Sequence, residues 1–131
     1  MDKTILVVED EDALREMIIT VLEDEDFSPI EARHGQQAIE ILENRAVDLV
    51  LSDITMPVMG GLELGAYCKQ HFPGVPFVLM SGGSRELQNH DGDKYLLSGV
   101  EMTGARCVLH KPFSLSEFIQ VIESCLLGDK V

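Results

Sequence analysis

The sequence predicts an α/β domain with a parallel sheet covered by helices on both faces. Three observations carry that expectation. Five short apolar or β-branched runs punctuate the chain, amphipathic stretches of helical period separate them, and acidic or small polar residues follow the runs. Right-handed crossovers between parallel strands then favour a doubly wound sheet. The residues alone leave the order of the strands open.

The elements follow in chain order. Ile5 to Val8 is a continuous apolar run, as expected of a strand covered on both faces. Leu14, Met17, Ile18, Val21 and Leu22 recur at helical spacing after it. Ser28 to Ala32 reads as a weak strand, and Pro29 places it near a sheet edge because proline cannot donate to a ladder. Ala38, Ile39 and Leu42 suggest a second helix. Val47 to Leu51 reads as a strand, Leu62 to His71 as a helix, and Phe77 to Met80 as a strand. Lys94 to Thr103 is expected to be helical, and Cys107 to Leu109 to be a last short strand. The final helix is marked by a stripe of Leu115, Phe118, Ile119, Ile122 and Cys125, read as its core-facing side. Ser114 and Glu117 stand in the relation of a capping box at its start.

With 131 residues the chain is expected to be one domain, 1–131, long enough to bury a core of its own. Its formal net charge of −13 repels phosphate backbones and anionic membranes, so direct nucleic-acid or membrane binding is not expected. Cys68, Cys107 and Cys125 are odd in number and unpaired in spacing, which fits reduced thiols in a cytoplasmic protein. His34, His71, His90 and His110 are scattered, with no Cys/His cluster of metal-ligand spacing. The N-terminal apolar run is too short for a signal peptide, and no segment approaches a membrane span.

The residues after each strand carry the chemistry. Glu9 and Asp10 follow the first, Asp53 the third, Ser81 and Gly82 the fourth, and Lys111 the fifth. In a parallel sheet all strand C-termini share one edge, where open α/β folds bind ligands. Three carboxylates, a hydroxyl and an ammonium are thus expected in one crevice. Two carboxylates about 4 Å apart repel by roughly 4 kcal/mol at an effective dielectric near 20. A divalent cation would offset that, and an all-oxygen donor set suits Mg²⁺. Lys111 offers a point charge to a phosphate oxygen, and Ser81 a hydroxyl.

Each of these residues also has a plain structural reading. An Asp after a strand is often a helix cap, a Ser-Gly-Gly a loop, and a Lys before Pro a solvated charge. Glu9 to Asp12 would pass for a solvated acidic turn. Their recurrence at successive strand ends weighs against chance.

At this point the chain resembles the receiver domains of two-component response regulators, over nearly its whole length. The most specific segment is Asp53-Ile54-Thr55-Met56-Pro57-Val58-Met59-Gly60-Gly61-Leu62-Glu63-Leu64, similar to that family's phosphoacceptor segment; Val7 to Glu11 and Lys111-Pro112-Phe113 add to it. The resemblance implies a flavodoxin-like doubly wound sheet of five parallel strands in order 2-1-3-4-5. It implies that Asp53 accepts a phosphoryl group from a phosphohistidine on a histidine kinase or phosphotransfer protein. Asp10 and Asp53 would ligate Mg²⁺ with the backbone carbonyl of Thr55, and Glu9 would act through a metal-bound water. Ser81 would bond the phosphorylated carboxylate and Lys111 neutralise it. The Lys111–Pro112 bond is expected to be cis. The module would be a switch that assists its own phosphorylation and dephosphorylation, not a turnover enzyme, and would signal to a downstream protein.

Departures are visible too. Val108 stands where many receivers carry Tyr or Phe, so the usual aromatic coupling is missing. Residues 84–93 look like a polar insertion, best read as a tolerated surface loop. Thr55 and Gly83 lie where the family tunes phosphate lifetime, and neither positions a water strongly, which suggests slow hydrolysis. Three rivals compete. A flavin protein would want a hydroxyl- and glycine-rich loop after the first strand, where this chain has Glu-Asp-Glu-Asp. A haloacid-dehalogenase-type phosphatase would want an Asp two residues after its nucleophile, where Thr55 stands. A receiver-shaped scaffold that binds partners without phosphorylation is the remaining alternative. Because the chain stops soon after its last helix, it is expected to lack an output domain and to work through protein contacts, alone or as part of something larger.

Overall fold

A computed structural model describes residues 2–82 and 99–127. Five strands, β1 (Thr4–Val8), β2 (Ser28–Ala32), β3 (Leu49–Asp53), β4 (Phe77–Ser81) and β5 (Cys107–His110), form one parallel sheet in the order β2-β1-β3-β4-β5. The helices are α1 (Asp12–Asp24), α2 (Gly35–Asn44) and α3 (Gly61–His71), then helical residues 99–103 (α4) and α5 (Leu115–Leu126). The expected insertion at 84–93, Gly83 and the beginning of the helix expected from Lys94 lie outside the described residues.

Alternation along the strands divides the core in two. Ile5, Val7, Leu49, Leu51, Val78, Met80 and Leu109 pack with Ile18 and Leu22 of α1 and with Phe118, Val121 and Ile122 of α5. Their neighbours Leu6, Val8, Val50 and Leu79 point the other way, onto Ala38, Ile39 and Leu42 of α2 and Leu64 and Cys68 of α3. Strands β3 and β4 are buried throughout, whereas the edge strand β2 is mostly half-buried. Pro29 thus stands on an edge strand, as its missing N–H requires.

Two expectations shift. β3 spans Leu49–Asp53 rather than Val47 to Leu51, because the ladder with β4 pairs Asp53 with Met80 and carries on to Ile54 N–H, which donates to the Met80 carbonyl at 3.0 Å. Asp48 stays outside the strand and its carboxylate accepts the Thr4 N–H at 2.7 Å. In α5 the buried side is Phe118, Val121, Ile122 and Cys125, while Leu115 is exposed. The core-facing side is therefore turned toward Val121, and Leu115, on the helix's first turn, borders a surface groove instead. Met17 of α1 is likewise exposed. The cap does form: Ser114 Oγ accepts the Glu117 N–H at 3.1 Å.

Candidate phosphoacceptor site

The order β2-β1-β3 reverses the direction of winding between β1 and β3, and a crevice opens at their C-terminal ends. Glu9 follows β1 directly, and its N–H donates to the Ala32 carbonyl at 3.0 Å, extending the β1–β2 ladder by one bond. Its side chain is buried, so a plain solvated turn does not describe Glu9, whereas Asp10, Glu11 and Asp12 are exposed. Asp53 is the last residue of β3 and is buried, as is Ser81, the last of β4. Lys111 lies just beyond β5, and its N–H donates to the Ser81 carbonyl at 2.9 Å. Thr55 is exposed, two residues beyond Asp53.

These side chains meet. Lys111 Nζ donates to Asp53 Oδ1 at 2.8 Å and to Glu9 Oε1 at 3.0 Å. A carboxylate oxygen from each of Glu9, Asp10 and Asp53 lies within 4.8 Å of the others. Among the described residues, the Lys111 ammonium thus lies against a cluster of three carboxylates, and Glu9 responds to that setting. Burial, and after it the Asp53 charge, push its carboxyl up to about 7 in spite of the Lys111 hydrogen bond. Burial works against the Lys111 charge as well, but its hydrogen bonds to Asp53 and Glu9 outweigh that and lift its pKa above the ordinary lysine value. Three hard oxygen donors carrying excess negative charge fit a divalent cation such as Mg²⁺.

The loop after Asp53 explains the residue types around it. A Cβ on Gly61 would collide with the Asp53 carbonyl oxygen, and one on Gly60 would sit 2.8 Å from the Ile54 carbonyl oxygen. Only glycines let the start of α3 pass this close to the backbone of the candidate phosphoacceptor. Between them and Asp53, Met59 N–H donates to the Pro57 carbonyl at 2.8 Å, closing a three-residue turn around Val58 at φ 69°. The Lys111–Pro112 peptide is cis. Val108 is half-buried against the α2–α3 side of the core, so no ring occupies that position.

Sequence reasoning missed Arg15. Its side chain is buried under the turn between β1 and α1, bonded to Asp12, Glu31 and the Glu9 carbonyl. Burial opposes its charge, but the hydrogen bonds it donates to Asp12 and Glu31 more than offset this. The signal was present, since Arg15 shares the buried side of α1 with Ile18 and Leu22.

An acidic pocket at the switch point of a 2-1-3-4-5 sheet, with an ammonium reaching in from the fifth strand, defines a class. Residues 5–123 match the family model described as the response regulator receiver domain, and the chain belongs to that family. It is 33% identical over 126 residues to the response regulator GtcR of Aneurinibacillus migulanus, covering 96% of this chain and 48% of GtcR. It is 30% identical over 125 residues to the sensor kinase CckA of Brucella abortus, covering 94% of this chain and 12% of CckA. The chain thus spans about half the length of the first relative and a small part of the second. Its fold matches a CheY-like receiver domain protein from Methanospirillum hungatei with a TM-score of 0.83 at 24% identity, covering 98% of this chain and 96% of that one. Receiver domains of this family are signalling switches rather than turnover enzymes, and no helix among the described residues is long and apolar enough to cross a membrane.

Proposed function

We propose that the chain, as one receiver domain over 1–131, takes a phosphoryl group onto Asp53 from a phosphohistidine of a histidine kinase or phosphotransfer protein. The reaction is Mg²⁺-dependent, and the product signals through altered contacts with a downstream protein in the cytoplasm. The observation that carries this reading is Lys111 Nζ at 2.8 Å from Asp53 Oδ1 inside an acidic pocket.

In this reading an Asp53 oxygen attacks phosphorus in line as the phosphorus–nitrogen bond of the donor breaks. The bonding pair leaves with the imidazole nitrogen, which takes up a proton. Positioning and charge stabilisation supply most of the catalysis. Lys111, already bonded to Asp53, stabilises the added negative charge, and the Ser81 hydroxyl bonds the phosphorylated side chain. Asp10 and Asp53 would hold the metal directly with the Thr55 carbonyl, and Glu9 through a water. Bound there, Mg²⁺ supplies counter-charge to the phosphoryl oxygens. The chain thereby assists its own phosphorylation and, later, hydrolysis of the acyl phosphate. An apolar groove lined by Leu14, Met17 and Phe113 opens beside Lys111 and Gly82, and offers a protein donor a surface next to Asp53. With a net charge of −13, the partners are proteins rather than nucleic acid.

The test is intact-mass measurement after incubation with a small phosphodonor, with and without Mg²⁺. The wild type gains one phosphoryl group only with Mg²⁺, and Asp53→Asn gains none. Undiminished labelling of Asp53→Asn removes Asp53 from its role. No labelling of either protein favours the scaffold that binds partners without phosphorylation.

A further inference from the structure

Arg15 takes no part in the chemistry above, yet it is the buried cation among the described residues, with its side chain 3% exposed. Nε donates to Glu31 Oε1 at 2.9 Å, Nη2 to Asp12 Oδ1 at 2.6 Å, and Nη1 to the backbone carbonyl of Glu9 at 2.9 Å. The two carboxylate partners are mostly exposed and would be well solvated without it. An apolar side chain at this place, beside Ile18 and Leu22, would pack without the penalty of burying a charge. What the guanidinium adds is its grip on the Glu9 carbonyl.

That carbonyl belongs to the peptide joining Glu9 to Asp10. The N–H of the same peptide, carried by Asp10, donates to Glu9 Oε2 at 3.2 Å. One rigid plane is thus held from both sides, and the α-carbons of two acidic residues of the pocket are its ends. A rotation of that plane would swing the Asp10 carboxylate relative to Asp53.

We propose that Arg15 is a positioning residue: by holding the Glu9 carbonyl from inside the domain it orients the Glu9–Asp10 peptide, so that the acidic pocket is set for Mg²⁺. The proposal rests on the Mg²⁺ reading of the pocket. Its sign separates it from simple electrostatics. A positive charge near a cation site weakens binding, so loss of Arg15 by charge alone would tighten Mg²⁺ binding. Loss of a positioning contact does the reverse, by roughly tenfold to a hundredfold for groups that orient metal ligands.

The experiment is calorimetric titration with Mg²⁺ of the wild type, Arg15→Met, Arg15→Lys and Glu31→Gln, each also melted in EDTA. Arg15→Met binds Mg²⁺ roughly tenfold or more weakly than wild type. Arg15→Lys keeps the charge but cannot span three acceptors, and falls between the two. Glu31→Gln leaves the Glu9 contact in place and stays within about twofold of wild type, whatever its melting temperature. Equal or tighter binding by folded Arg15→Met overturns the proposal. If that variant does not fold, wild-type affinity in Arg15→Lys overturns it instead. Wild type that binds no Mg²⁺ overturns the metal reading and this proposal together, whereas a binding wild type with unaffected Arg15 variants overturns this proposal alone.

Discussion

Replacing Glu9 with Gln tests the electrostatics of the pocket without touching Asp53. Glu9 is 1% exposed and its carboxyl is pushed from 4.5 to about 7, by burial first and by the Asp53 charge second. The folded state therefore holds that proton more tightly than the unfolded chain does. Its contribution to stability is complete below about pH 4.5, fades as pH rises, and is gone above about pH 7. At 1.36 kcal/mol for each tenfold change in proton affinity, this penalty reaches about 3 kcal/mol for ionised Glu9. Glutamine keeps a carbonyl oxygen for Lys111 and has no charge to desolvate. Glu9→Gln should match the wild type near pH 4.5 and exceed it by about 3 kcal/mol at pH 8, a midpoint shift of roughly 1 to 2 M urea. Urea unfolding in EDTA across this range, followed by circular dichroism because the chain has no tryptophan, measures the difference directly. Groups remote from the pocket contribute equally to both proteins and cancel in the difference. A difference that does not change with pH would refute the reasoning, as would a wild type that alone gains stability over this window. Added Mg²⁺ should reverse the trend, because it favours ionised Glu9 and its binding releases the proton.

Three further outcomes follow from particular contacts. Met17→Glu, at an exposed position in the groove beside Lys111, should slow phosphotransfer from a protein donor by roughly tenfold while labelling by acetyl phosphate stays within about twofold; equal slowing of both would exclude the groove as a docking surface. Val58 is β-branched, 77% exposed and held at φ 69°, so Val58→Asn should raise stability in urea by about 1 kcal/mol, and a loss of stability would show that the turn is not strained. Gly61→Ala brings a methyl against the Asp53 carbonyl oxygen and should lower stability by about 1 to 3 kcal/mol and impair labelling, whereas normal labelling with unchanged unfolding would show that α3 can shift to make room.

Much of this architecture was legible because it depends on local pattern. The Ile5–Val8 run, the Ser114–Glu117 cap and the polar residue types at four strand ends each point to one arrangement, and the sheet gathers those ends at one edge. What escaped depends on contacts between distant elements. The end of β3 is set by its partner β4, which carries the ladder through Asp53. The buried side of α5 is set by where it lies on the sheet, which takes in Val121 and leaves Leu115 outside. Arg15 reads as a surface charge because its partner Glu31 is distant in sequence, on β2, and its third acceptor is a backbone carbonyl. Val58 gives no hint of its backbone, since φ above zero is disfavoured for valine and is imposed here by the turn.

The most direct test of the central claim is to locate the phosphoryl group itself. Borohydride reduction of the freshly labelled protein converts an aspartyl phosphate to homoserine, and peptide mass spectrometry then finds the altered residue. Homoserine in place of Asp53, formed only when Mg²⁺ accompanied the phosphodonor, is the result expected of this pocket. Conversion at Asp10 or Glu9, or a label that resists reduction because it sits on Ser81 or another hydroxyl, would contradict it.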